Sequence, residues 1–290
     1  MLEPSELILN SDKSVYHLNL HPEEIAPNIL LVGDPDRVPL ISAHFDSIDI
    51  KRQNREIITH TGSYKGMPVT VLSTGMGTDN IDIVMNELDA LVNIDLLKRE
   101  IKSAHTTLNI IRIGTSGGLQ PGLNPDTTIV STHGLGLDGM LYYYRSLDKV
   151  MNHDMTEQFI SHAGWPSVLP RPYIVEANNK LLKSVGEGFL NGITATAPGF
   201  YGPQGRKLRL STYLPDLNEL LMSFTYKNLK ILNFEMETSA LYGLGQMMGH
   251  NTLTLTNIVA NRVDKTHSLN YNIFMEQLIT QVLDRLRAIN

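Results

Sequence analysis

Cysteine is absent from the 290-residue chain. That removes disulfides, thiolate metal ligands and thiol nucleophiles together, and it fits a cytoplasmic protein. Tryptophan occurs once, and no run reaches the roughly 18 apolar residues that a membrane-spanning helix needs. The opening MLEPSELILNSDK places three acidic residues before its first Lys, the wrong charge for a secretory signal. Basic tracts are missing too: 24 Lys and Arg stand against 30 Asp and Glu, a net charge of −6, which argues against a nucleic-acid surface. Any anion site must therefore be assembled from a few converging Arg residues. The ten His show no tight metal-ligand spacing, and no Gly-Lys-Ser/Thr follows a glycine loop, so this is not a Walker protein.

What is present is a recurring alternation. Short apolar runs at 28–32, 67–73, 108–113, 127–131, 192–196 and 252–259 are bounded by Gly, Pro, Asp or Asn and read as buried strands. Helical patterns lie between them. Asp79 or Asn80 is a cap for a helix with Ile83, Val84, Leu88, Leu91 and Val92 on one stripe. A second helix runs from about Glu235 to Gly249, and a third over 270–288 faces Ile273, Phe274, Leu278, Val282 and Leu286 inward. Strands alternating with helices predict an α/β sheet covered on both faces. Nothing marks a boundary, so residues 1–290 read as one domain.

Four motifs carry chemistry or imitate it. In LLVGDPDRV (30–38), Gly33 ends a strand and offers its N–H to an anion, with Arg37 four residues on; an ordinary Asp-Pro turn is the plainer alternative. In IIRIGTSGGLQPG (110–122), Arg112 lies inside an apolar strand, so its guanidinium must be paired or face a ligand. Gly114 to Gly118 follow at the strand end where open α/β sheets bind ligands. FEMETSAL (234–241) carries Glu235 and Glu237, which diverge if the segment is helical; one carboxylate suits a ribose diol, or both are first-turn acids. GLGLDG (134–139) matches a dinucleotide fingerprint but lacks a clear following helix. The loop GFYGPQGR (199–206) packs an aromatic face, an amide and a guanidinium between glycines that forbid regular structure.

The ordered set SVYHLNL, GDPDRV, NREI, STGMG, RIGTSG, FYGPQGR, NFEMET and IVANR resembles the nucleoside phosphorylase family, most closely its uridine phosphorylase branch, over about residues 14–262. The resemblance implies a three-layer αβα sandwich around a mixed, partly barrelled sheet. It implies phosphate held by Gly33, Arg37, Arg112 and Thr115, with Arg55 reaching the phosphate of a neighbouring subunit. His17 is likewise lent across the interface to the ribose 5′-hydroxyl, Met236 and Glu237 contact the ribose, and Phe200, Gln204 and Arg206 bind the base. Arg112, Arg206 and Glu237 would carry catalysis, with inorganic phosphate as co-substrate and no organic cofactor. A monovalent cation would sit near Glu56, Met76 and Asn80, although GTDN (77–80) departs from the family's usual glycine-proline-serine. Asn257 and Asn261, where the purine branch has Asp, favour a pyrimidine. The family's bacterial members are usually hexamers built of dimers, so a homo-oligomer is expected. A nucleosidase using water, a purine-specific phosphorylase and a non-catalytic nucleoside sensor are the competing readings.

Overall fold

A computed structural model describes residues 2–289. Strands β1 (Asn28–Val32), β2 (Ser47–Asn54), β3 (Ile57–Tyr64), β4 (Met67–Ser73), β5 (Asn109–Gly118), β6 (Thr128–Gly136), β7 (Tyr173–Glu176), β8 (Leu190–Thr196), β9 (Leu229–Glu235) and β10 (Asn251–Asn261) form one mixed sheet. Its order is β9-β8-β6-β10-β5-β1-β4-β3-β2, and β9 also pairs antiparallel with β5, closing five strands into a barrel. The remaining strands extend from the barrel as a sheet, with β1 parallel to both β4 and β5.

The apolar run of β1 explains the layering. Ile29 and Leu31 face helices α2 (Thr78–Asn93) and α5 (Thr238–Met248), while Leu30 and Val32 face α1 (Arg37–Ser42) and α6 (Tyr271–Arg287). A strand buried on both faces has no room for polar alternation. A third apolar cluster packs α3 (His153–Ala163) and α4 (Leu217–Ser223) against β8 and β9. The result is the expected αβα sandwich with its partly barrelled sheet.

Several local expectations change. Gly77, not Asp79 or Asn80, is the N-cap of α2; its φ of 106° is open to glycine and hostile to side chains. The buried stripe of α2 includes Ile81 and Met85, whereas Ile83 and Val92 are only half-buried. On α6, Ile273 is exposed and Phe274 half-buried, because Met275, Leu278, Ile279 and Val282 form the inward face. Glu235 ends strand β9 instead of starting a helix, since its neighbours pair with both β8 and β5. The glycines of 134–139 serve packing: a Cβ on Gly134 would lie 2.7 Å from the Ser239 backbone, and one on Gly136 2.1 Å from the Tyr173 ring.

Candidate active site

The parallel strands deliver their C-terminal ends to one cavity of about 870 Å³. Its lining includes Gly33 and Arg37 after β1, Arg112 and Thr115 on β5, Met236 and Glu237 after β9, and Phe200, Gln204 and Arg206 from the loop after β8. The remaining two expected residues lie elsewhere. Arg55 is exposed at the β2–β3 turn with its guanidinium 5.7 Å from the centre of the Tyr16 ring. His17 directs Nδ1 to Glu87 Oε1 at 2.7 Å.

Arg112 shows how the strand dictates the chemistry. It is 4% exposed on the interior of β5, so its charge requires partners. Nη2 donates to Glu237 Oε2, and Nη1 lies 3.2 Å from Glu235 Oε2. Burial alone would depress this guanidinium, but Glu237 and then Glu235 hold it above its ordinary value. Nε and Nη1 still lack any partner in hydrogen-bond geometry among the described residues. Two buried donors without acceptors beside a cavity make a seat for an anion.

Glu235 and Glu237 reach the same guanidinium because Glu235 ends β9 and a bend at 236–237 precedes α5, whereas a helix through both would set them apart. Glu237 Oε1 also accepts the Gly77 N–H at 2.8 Å, which ties the ribose candidate to the start of α2. Glu235 accepts Thr196 Oγ1 at 2.7 Å and the backbone N–H groups of Glu237 and Thr238. Burial pushes the Glu235 carboxyl up, with Arg112 opposing and Glu237 adding repulsion. Arg37 is fixed by Ile113 O at 3.3 Å and by the Tyr271 hydroxyl at 2.7 Å, so α6 supports this second arginine.

At the other end, Arg206 lies 3.7 Å from the centre of the Phe200 ring and donates to Gln204 Oε1 at 2.6 Å. Phe200 therefore has one face covered by its own loop. Gln204 is 4% exposed, and its Nε2 has no protein acceptor among the described residues. Burial lowers the Arg206 guanidinium. It lowers Arg262 to about 10, with Arg206 adding repulsion, so Arg262 stays cationic at neutral pH.

Arg262 lines the cavity and donates to Gln204 O, yet sequence reading gave it no role. Its signal was the Arg closing IVANR, just past β10. Tyr271 was missed for a different reason: nothing in the sequence links it to Arg37. Asn257 and Asn261 do not line the cavity. Asn257 Oδ1 accepts from Thr128 Oγ1, and Asn261 Nδ2 bonds Gln120 O and Leu123 O, so both are structural and leave base preference to the loop. The run 114–118 formally satisfies a G-x-S-x-G elbow, but Ser116 is buried on a strand and bonded to Thr256 and Asn233.

Glu56, Met76 and Asn80, the implied cation position, all line this cavity. Met76 is 74% exposed, and Asn80 turns its amide nitrogen, not its oxygen, toward Gly75. Among the described residues no group of three or more His, Asp or Glu could hold a metal ion. No helix among them is long and apolar enough to cross a membrane.

With this geometry established, the comparisons define the class. A family model described as the phosphorylase superfamily matches residues 27–289. The chain belongs to that superfamily. It is 32% identical over 250 residues to a uridine phosphorylase of Thermococcus kodakarensis, covering 86% of this chain and 78% of that one. It is 29% identical over 245 residues to a DeoD-type purine nucleoside phosphorylase of Listeria innocua, covering 83% and 85%. Among solved structures, a Trypanosoma brucei nucleoside phosphorylase described as showing uridine phosphorylase activity superposes with a TM-score of 0.87. That pair is 31% identical, with 97% of this chain and 99% of that one covered.

Proposed function

We propose that the chain is a uridine phosphorylase, cleaving uridine with phosphate to uracil and ribose 1-phosphate. One observation carries the reading: a single cavity holds a buried arginine with unsatisfied donors together with an amide–guanidinium pair suited to a flat, oxygen-rich base.

The phosphate is held by Arg37, Arg112, the Thr115 hydroxyl and the Gly33 N–H. Fixing the nucleophile opposite the leaving base can supply roughly 7–11 kcal/mol of the barrier at best. A phosphate oxygen forms the bond to C1′ as the C1′–N1 bond breaks, and the bonding pair leaves with uracil. Glu237 accepts the ribose hydroxyls, with Met236 beside it, and favours a sugar acquiring positive charge. Gln204 and Arg206 donate to the uracil edge, where negative charge develops, and Phe200 covers the ring. A base with the wrong donor pattern leaves these groups unpaired, which makes the pocket selective for a pyrimidine. No step runs through a metal ion or an organic cofactor.

Arg55 and His17 are assigned to a neighbouring subunit's site. Both lie outside this chain's cavity, and a positive φ of 54° at Arg55 holds it at an exposed turn. The working unit is then a dimer with shared sites, within a cytoplasmic homo-oligomer, and the single nucleoside phosphorylase domain spans 1–290. Product analysis tests the assignment: uridine and phosphate should yield uracil and ribose 1-phosphate in equal amounts. Free ribose as the sugar product would make the protein a nucleosidase, and binding without uracil would make it a sensor.

A further inference from the structure

The arginine that seats the anion is itself seated, and the parts of its cradle are outside the substrate-contacting set. Arg112 and Gly114 lie two apart on β5, so they share a face of the strand. The guanidinium folds back along that face onto Gly114. An ideal Cβ at Gly114 would lie 2.4 Å from Arg112 Nη1, 2.8 Å from Cζ and 3.0 Å from Nη2. Gly114 has no positive φ, so its backbone does not require glycine; the space above it does. Glu235 Oε2 also approaches Nη1, at 3.2 Å. Glu235 cannot drift, because Thr196 Oγ1 and the N–H groups of Glu237 and Thr238 hold both its oxygens.

We propose that Gly114 and Glu235 are positioning residues for phosphorolysis: Gly114 is the floor and Glu235 the anchor that fix where the Arg112 guanidinium meets the attacking phosphate. The inference rests on the phosphorylase reading and adds two residues to it. Its chemistry follows from geometry. Alanine at 114 pushes the guanidinium out by about 1 Å to reach ordinary contact, a displacement of a kind that can cost roughly 100-fold in rate. Glutamine at 235 keeps the size and one accepting oxygen but loses the charge that faces Nη1.

The test uses steady-state kinetics of the full chain with uridine and phosphate varied separately, beside thermal melting with and without inorganic phosphate. Gly114→Ala is expected to raise the KM for phosphate roughly 10- to 100-fold, leave the KM for uridine within about threefold, and lose most of the phosphate-induced rise in melting temperature. Glu235→Gln is expected to lower kcat at least about tenfold without raising the KM for phosphate, since the Arg112 donor is no longer held in place while a nearby negative charge is removed. Wild-type phosphate constants in Gly114→Ala would overturn the floor, even with a lower melting temperature. Tighter phosphate binding with an unchanged kcat in Glu235→Gln would overturn the anchor, because the carboxylate would then only neutralise charge. A wild-type chain that releases no uracil would instead sink the phosphorylase reading, a separate failure.

Discussion

Arg206 does two things in the free site: it lies on Phe200 and holds Gln204 Oε1. On the proposed mechanism, removing its guanidinium takes a cation from the place where the leaving uracil gathers charge, and it also frees the Gln204 amide. Arg206→Ala is expected to lower kcat/KM for uridine by roughly 10²–10³, the range for a lost charge-stabilising donor. The melting temperature should stay within a few degrees, since the loop lies outside the apolar core. An unchanged kcat/KM would remove Arg206 from the mechanism. The identity of such residues was legible because their types are expensive in a loop or a buried strand: a guanidinium inside IIRI announces a partner. Which partner was not legible. The contact of Arg112 with Gly114 depends on one side-chain conformation, and the convergence of Glu235 with Glu237 depends on a bend between β9 and α5 that FEMETSAL does not advertise.

Elements were readable where burial alone selects them. The runs at 28–32 and 67–73 coincide with β1 and β4, because strands buried on both faces must be apolar throughout. Strands β2 and β3 escaped notice: β2 is largely exposed, its SIDIKRQN sequence carries little apolar signal, and the antiparallel pairing with β3 defines it. Strand β9 was not read as a strand, and its last residue, Glu235, was given to the following helix, since only tertiary pairing ends the strand there.

At this scale, α2 is tied to the turn before β10 through Asp89, which accepts Asn93 Nδ2 at 2.7 Å and faces His250 Nε2 at 3.2 Å. Burial alone would raise the Asp89 carboxyl, but the His250 and Asn93 bonds outweigh it and the value falls below 3.8. A carboxylate depressed on folding contributes stability that is complete above its unfolded value and is lost as pH falls through the folded one. Asp89→Asn should therefore cost roughly 1 kcal/mol at neutral pH and flatten the decline of melting temperature with acid below 3.8. Parallel melting curves for both proteins across that range would show that Asp89 contributes no linked stability.

For the whole molecule, the proposed dimer divides labour between chains: one protomer would provide the cavity, and the other Arg55 and His17. That division makes a mixing prediction. Arg55→Ala and Arg206→Ala chains should each be nearly inactive alone. Unfolded and refolded together, they should regain activity, because a mixed dimer contains one site with Arg206 from one chain and Arg55 from its partner. No recovery would place Arg55 within its own chain's site or outside catalysis. Alternating elements alone predict a covered α/β sheet; the partial barrel was expected only from the family resemblance, because closure of β9 onto β5 is a property of pairing geometry and not of any one strand.

The most direct measurement follows base release from uridine and from inosine, each with and without inorganic phosphate. Uracil should appear only when phosphate is present, and much faster than hypoxanthine from inosine. Uracil release that ignores phosphate would contradict the anion seat proposed at Arg112, and a preference for inosine would contradict the pyrimidine slot proposed at Gln204 and Arg206.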